Sequence, residues 1–317
     1  MKILVRATAT LLMLLPLALA AAQSAAIPRP KITGISHASF LVADMEKARA
    51  FYQGFLGYEP TVSGSQVSRF KVNDRQSIEV VLAPGITAEA DRANNVALQV
   101  EDAEAMRTYL KSKGVAVPAQ ATKDDNGNLG FVVKDPQGNV LMFVQHLPDG
   151  RNARDAGQHL SDRAVSRRIM HVGVIIARLD VAKSFYEDIL GFGEFWRGTG
   201  GPVLSWVNVR LPDSDDYIEF MLYDKFPNIE RMRSYQHICL EVADAAKTET
   251  ILKARTLPEG SRPMTALRSG VNGKRQINTF DPDGTRTEVM EPNTFDGKPR
   301  PSSTAPVPVG EPRPPGR

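Results

Sequence analysis

Two histidines and two glutamates in the second half of this chain stand in apolar, strand-like surroundings, and their types suit one task. His171 lies in RIMHVGVII, Glu219 in YIEFMLY, His237 in YQHICLEV and Glu288 in TRTEVMEP. Successive side chains on a strand point to opposite faces. In YIEFMLY, Ile218, Phe220 and Leu222 share the face that helices can cover, leaving Glu219, Met221 and Tyr223 on the other. In MHVGVII, Met170, Val172, Val174 and Ile176 form the helix-side set and His171 points away. Ile238, Leu240 and Val242 likewise oppose His237, Cys239 and Glu241, and Val289 opposes Glu288 and Met290. If these strands curve into one partly closed barrel, the four polar side chains meet inside it. Two neutral imidazoles and two carboxylates on rigid strands suit one divalent metal ion, with room left for water or substrate. Without an ion the buried carboxylates would repel each other, and one would have to hold a proton.

The elements that must position these residues repeat along the chain. ISHASFLVADMEKARAFYQGFLGYEP, from Ile35, returns as IMHVGVIIARLDVAKSFYEDILGFGEF, from Ile169. Each copy has a His in a strand, an acidic cap (Asp44 or Asp180), a helix carrying Phe-Tyr, and a Leu-Gly stop at Gly57 or Gly191. Weaker echoes begin at Asn95 and His237, with Asp102 and Asp244 ahead of their helices. Short β-rich runs follow every helix. The chain therefore reads as an α+β protein of four βαβββ units, paired into domains over 33–146 and 168–292, with a polar linker at 147–167 that holds a solvated His159.

The ends differ from the middle. Lys2 and Arg6, an apolar run and small residues to Ala22 follow the order of a secretory signal peptide, cleaved before Gln23. This predicts a periplasmic or secreted protein with no membrane contact after cleavage. Residues 293–317 are rich in proline and predict a disordered tail. Cys239 is the single cysteine, so no internal disulfide can form, and it reads as a small buried apolar side chain. Over 317 residues the formal net charge is only +3 and no basic block is interleaved with aromatics, which argues against a nucleic-acid partner.

The repeated units resemble the vicinal oxygen chelate (VOC) superfamily, and the second domain resembles glyoxalase I through RIMHVGV, FYEDILGF, YIEFMLYD, YQHICLEV and FDPDGTRTEVME. The resemblance implies two VOC domains (glyoxalase/bleomycin resistance/dioxygenase). It implies metal ligands at His171, Glu219, His237 and Glu288, the last six residues after Pro282 of the DPDG turn. It implies one divalent ion, Zn, Ni, Mn or Fe, and a small-molecule substrate. The chemistry implied is isomerisation of a 2-oxoaldehyde–thiol adduct through an enediolate, with Glu219 or Glu288 moving the proton. No further cofactor is implied, and both monomer and homodimer fit.

In the first domain His37 and Glu79 hold the first two ligand positions, but Asn95 and Met142 hold the others, so its metal site is degenerate. His146 reads as an edge residue and Glu291 as solvent-exposed. A second reading is an extradiol dioxygenase with Fe(II) on His171, His237 and Glu288. It leaves Glu219 superfluous, and Asn278 stands where that chemistry needs a Tyr. A third is a non-enzymatic small-molecule binder of the bleomycin-resistance kind, with Trp196, Trp206 and Tyr223 available to stack on a planar ligand or to pack at the rim.

Overall fold

A computed structural model describes residues 27–314; the expected signal peptide lies outside them. The first domain contains β1 (Ile32–Val42), β2 (Pro60–Ser63), β3 (Val67–Lys71), β4 (Ser77–Leu82), β5 (Ala93–Val100), β6 (Thr122–Lys123), β7 (Leu129–Lys134) and β8 (Val140–Gln145). The second contains β9 (Ile169–Ile176), β10 (Gly193–Gly198), β11 (Trp206–Arg210), β12 (Tyr217–Leu222), β13 (Ile238–Glu241), β14 (Arg268–Ser269), β15 (Lys274–Phe280) and β16 (Arg286–Thr294). Their sheet orders are β2-β3-β4-β1-β5-β8-β7-β6 and β10-β11-β12-β9-β13-β16-β15-β14, the same arrangement twice. In each, two βαβββ units join along an antiparallel central pair, β1 with β5 and β9 with β13, and their last strands return parallel to the first, β4 beside β1 and β16 beside β13.

Helices cover one face of each sheet. They are α1 (Met45–Arg49), α2 (Ala103–Ser112), α3 (Arg151–Arg154), α4 (Leu179–Lys183), α5 (Ile229–Tyr235) and α6 (Ala245–Lys253). Asp44, Asp102 and Asp244 accept hydrogen bonds from backbone N–H groups of the first turn, as expected of acidic caps. Asp180 does not: α4 starts two residues earlier than a cap there would place it, behind Arg178, and Asp180 lies in its first turn paired with that arginine. Both α1 and α4 widen into a π-type turn, at Ala50–Phe55 and Ser184–Ile189, and end before Gly57 and Gly191 at positive φ.

Those two helices also tie the domains together. Tyr52 is buried and stacks on Phe70 of its own sheet, while its hydroxyl donates to Asp281 Oδ2 of the other domain at 3.1 Å. Tyr186 is the mirror case, packing on Phe220 and donating to Asp135 Oδ2 at 3.1 Å. Backbone donors cross over in the same paired fashion: Ile35 N to Asp216 at 3.0 Å and Ile169 N to Gln76 at 2.8 Å, then Ala43 N to Asp283 at 3.0 Å and Ala177 N to Gln137 at 2.7 Å. One continuous apolar cluster runs from Ile32 to Leu252 through both halves. Burial pushes the Asp281 carboxyl up to about 7, so the tyrosine hydroxyl supports a costly charge.

Three further expectations fail. Met170 is not on the helix side: the β9–β13 pairing shifts register beside it, so Ile169 joins the main core and Met170 packs with Tyr217, Cys239 and Met290. Glu291 is buried rather than exposed; it accepts from Ala245 N at 2.9 Å, ahead of α6, and pairs with Arg275. The proline-rich tail, as far as residue 314, lies against the body in extended form. Four backbone hydrogen bonds hold it there, Ser303 N to Arg197 O, Leu204 N to Pro306 O, Gly310 N to Ala177 O and Glu311 N to Asp224 O. Proline density prevented regular structure but left enough donors and acceptors to bind sheet edges.

One close approach fixes the site. At Gly173 of β9 a Cβ atom would fall 2.2 Å from two atoms of the His237 ring and 2.4 Å from the Tyr235 carbonyl oxygen. Only glycine lets the ring lie across β9. In the first domain the equivalent residue is Ser39, opposite Asn95 rather than a histidine. Gly173→Ala is expected to leave the chain folded but to displace His237, lowering metal affinity by about tenfold or more; isothermal titration with Zn(II) measures this, and unchanged affinity would show the ring needs no such room. Tyr52→Phe and Tyr186→Phe should each cost about 1–2 kcal/mol in urea unfolding by leaving a buried carboxylate short of a donor, and unshifted midpoints would mean the paired tyrosines do not lock the domains.

Candidate metal centre

The four residues arrive from four strands or strand entries. His171 is on β9, Glu219 on β12, Glu288 on β16, and His237 sits directly before β13. Their rows are adjacent because β12, β9, β13 and β16 are consecutive neighbours in the sheet. All four are buried on the concave side, with one ligand atom of each within 4.8 Å of the others. His171 Nε2 lies 3.1 Å from His237 Nε2 and 3.4 Å from Glu288 Oε2, and His237 Nε2 lies 3.5 Å from Glu219 Oε2. Among the described residues this is the one group of three or more such ligands so gathered.

The protonation states suit metal. His237 Nδ1 is 2.8 Å from the Tyr235 carbonyl, to which its N–H donates, leaving the Nε2 lone pair for a ligand. Burial and then Arg286 push the His237 pKa down to about 3, and burial also lowers His171, so both rings are neutral at pH 7. The carboxylates divide. Burial and the neighbouring Glu288 raise Glu219; burial would raise Glu288 as well, but Arg286 and the two imidazoles outweigh it and hold it well below the usual range. This is the signature of two like charges competing for one space, and a dication resolves it. The donor set of two nitrogens and two carboxylate oxygens fits one borderline or hard divalent ion.

A cavity of about 250 Å³ opens over Glu219 and Glu288, walled by Trp196, Trp206, Arg286 and the loop from Arg268 to Asn272. Trp196 and Trp206 thus stand where sequence reasoning placed them. Tyr223 does not: it packs with Ile175, Ala177 and Met232 under the C-terminal segment, away from this cavity. Asn208 and Asn278 are buried directly across the strand pairs from Glu219 and Glu288, and each leaves its Oδ1 without a partner. Arg286 and Asn208 were missed from sequence, and Asn278 was read there only as standing where a dioxygenase needs a Tyr; their signal was position, on the same faces as the two ligands.

The first domain handles its glutamate differently. His37 is buried, and burial lowers its pKa to about 4. Glu79 is paired with the guanidinium of Arg69, its cross-strand neighbour, and accepts from Ser39 Oγ at 2.9 Å. Asn95 and Met142 supply no ligand of the missing kind. His146 is more than an edge residue, since its Nε2 meets Ser36 Oγ at 2.8 Å and burial lowers its pKa to about 4. Arg69, on β3, occupies the place that Asn208 holds on β11, so a fixed cation stands in for a bound one.

Comparison with known proteins agrees with this architecture. The family model described as Glyoxalase/Bleomycin resistance protein/Dioxygenase superfamily matches residues 34–143 and again 168–289. Among solved structures, the 2,3-dioxygenase LapB from Pseudomonas sp. KL28 is 16% identical with a TM-score of 0.63, over 86% of this chain and 98% of that one. A variant of homoprotocatechuate 2,3-dioxygenase from Brevibacterium fuscum is 16% identical with a TM-score of 0.64, over 89% and 76%. A Mn(II)-bound glyoxalase from Novosphingobium aromaticivorans is 19% identical with a TM-score of 0.63, over 90% and 89%. At these identities the structures speak for the fold alone. The family match covers both repeats, and with it this chain belongs to the glyoxalase/bleomycin resistance protein/dioxygenase superfamily, as two domains of that fold with a site for one divalent metal ion in the second.

Proposed function

We propose that the protein is a metal-dependent enzyme of glyoxalase I type, which moves a proton between adjacent carbons in the adduct of a 2-oxoaldehyde with a thiol. The observation that carries this reading is Glu219. It completes a four-residue cluster, and a two-histidine, one-carboxylate triad would have no use for a second buried carboxylate. A divalent ion held by the quartet supplies Lewis acidity toward the substrate's adjacent oxygens.

Proton carriage then falls to the protein. Glu219, buried beside Glu288 and lining the cavity, is placed to take a proton from one carbon and return it to the next. Glu288 stays ionised beside Arg286. His171 and His237, neutral and fixed by burial, hold the cluster's geometry. Trp196 and Trp206 limit water at the cavity wall.

Ring cleavage by an extradiol dioxygenase is the second reading, favoured by the near full-length likeness to LapB. Against it, the cavity wall contains no histidine or tyrosine among the described residues, and Asn278 faces Glu288. Export to the periplasm or medium belongs to the same proposal and rests on residues 1–22. Intact mass of the protein from fractionated cells checks this, with Gln23 expected at the mature N-terminus and retention of Met1 counting against it.

Elemental analysis with NMR detection of solvent deuterium entering the carbon beside the carbonyl tests the chemistry. Glu219→Gln should lower metal content and cut exchange by about 10²–10⁴, whereas His37→Ala in the first domain should change neither. A Glu219→Gln protein that keeps its iron and opens catechol rings would replace this reading with the second one.

A further inference from the structure

The cavity over the quartet has an unbalanced charge. Its only acidic lining residues are Glu219 and Glu288, and both are committed to the cluster. Its basic residues are Arg286 and Arg268, and neither forms an ion pair with any carboxylate among the described residues. By contrast, Arg69 and Arg275, which stand directly beside Glu79 and Glu291, are each paired with that carboxylate.

Arg286 reaches the cluster itself, through His237. It lies on β16 two residues before Glu288, so both point to the concave face. Its Nη2 lies over the edge of the His237 ring, where Nε2 at 2.9 Å is the one nitrogen free to accept, and its Nε is buried without a partner. His237 gives Nδ1–H to the Tyr235 carbonyl, and its Nε2 is directed at the cluster. Once Nε2 serves as a ligand, the guanidinium has no acceptor left among the described residues. With a dication neutralised by two carboxylates, two arginines remain as net positive charge around a small cavity.

The walls add shape. Trp196 and Trp206 are the chain's two tryptophans, and both line this cavity. Gly198 and Gly200 make room for them: a Cβ at Gly198 would lie 2.2 Å from the Trp196 ring, and one at Gly200 3.2 Å from that of Trp206. Trp196 Nε1 is a further buried donor without a partner. Flat apolar surfaces facing unpaired guanidiniums select a planar body joined to an anion.

We propose that the substrate is a small planar, typically aromatic, anion whose negatively charged group is received by Arg286 and Arg268 while its ring lies against Trp196 and Trp206. This deepens the metal-site reading and rests on it, but not on the isomerase chemistry. It explains why the cavity carries cations where the metal has already consumed the acids. It also gives the two-tryptophan wall a role beyond packing.

The test is ligand binding, read by quenching of tryptophan fluorescence. The probes are benzohydroxamates, whose adjacent oxygens chelate metal, bearing either a 3- or 4-carboxylate or the neutral carboxamide of the same shape. The metal-loaded protein should bind the better carboxylate at least about tenfold more tightly than its amide, a difference of the size that a charge-assisted contact supplies. Arg286→Gln and Arg268→Gln should each shrink that ratio and the double variant should bring it near one, the acid losing more affinity than the amide. Metal content is measured for every variant; should Arg286→Gln lose its ion, Arg268→Gln, at the rim, carries the test. Equal affinity of wild-type protein for acid and amide overturns the proposal, as does a preference that survives in Arg268→Gln and the double variant. Because no turnover is read, failure of the isomerase reading leaves this result standing, and the reverse also holds.

Discussion

Two carboxyl groups buried side by side with two imidazoles are the constraint on which the second domain depends. Removing one carboxylate from water costs several kcal/mol, and placing a second against it adds repulsion. The protein meets this partly with Arg286 and partly by letting the pair divide, Glu219 raised and Glu288 lowered. Neither device is complete, and the donor geometry leaves the remaining compensation to a dication. The strand order places the four ligand rows next to one another, and Gly173 clears the space that His237 needs.

The first domain is an internal control written in the same chain. It has the same strand order, a His at the same place on its central strand and a Glu on the equivalent return strand. There the buried glutamate is neutralised by Arg69 from the neighbouring strand, the histidine is simply desolvated, and Ser39 replaces the essential glycine. A fixed guanidinium fills the position where a metal would otherwise balance charge. The two halves therefore show two solutions to one electrostatic problem, and the second leaves its paired carboxylates at an open cavity.

What was legible in the sequence follows from which signals are local. Alternation of period two revealed Glu219 and Glu288 on their faces, and the repeat from Ile35 to Ile169 revealed four units before any coordinates. Met170 escaped because a register shift breaks the alternation, and alternation alone cannot see a bulge. Glu291 escaped because its partners, Ala245 and Arg275, come from other elements. The tail was misread because proline content reports regular structure, whereas its order comes from edges supplied by residues such as Arg197, Leu204 and Ala177. Gly173 and Arg286 were visible as letters, but their meaning depends on which ring lies 2.2 Å from a missing Cβ and which cation lacks a carboxylate.

The first domain, whose own ligand set is incomplete, also supports the strand that carries two groups of the second domain's site. The hydroxyl of Tyr52 reaches Asp281 in the turn that leads directly into β16, the strand carrying both Arg286 and Glu288. Ala43 N reaches Asp283 in that same turn, and Arg92 pairs with it at 2.9 Å. The entry of the ligand strand is thus held from the other domain by a hydroxyl, a backbone N–H and a guanidinium. A metal site tolerates little error in ligand placement, and strands frayed at their entry would supply that error. In this arrangement the first domain contributes to the chemistry by fixing the start of β16, a role that needs buried donors rather than ligands of its own.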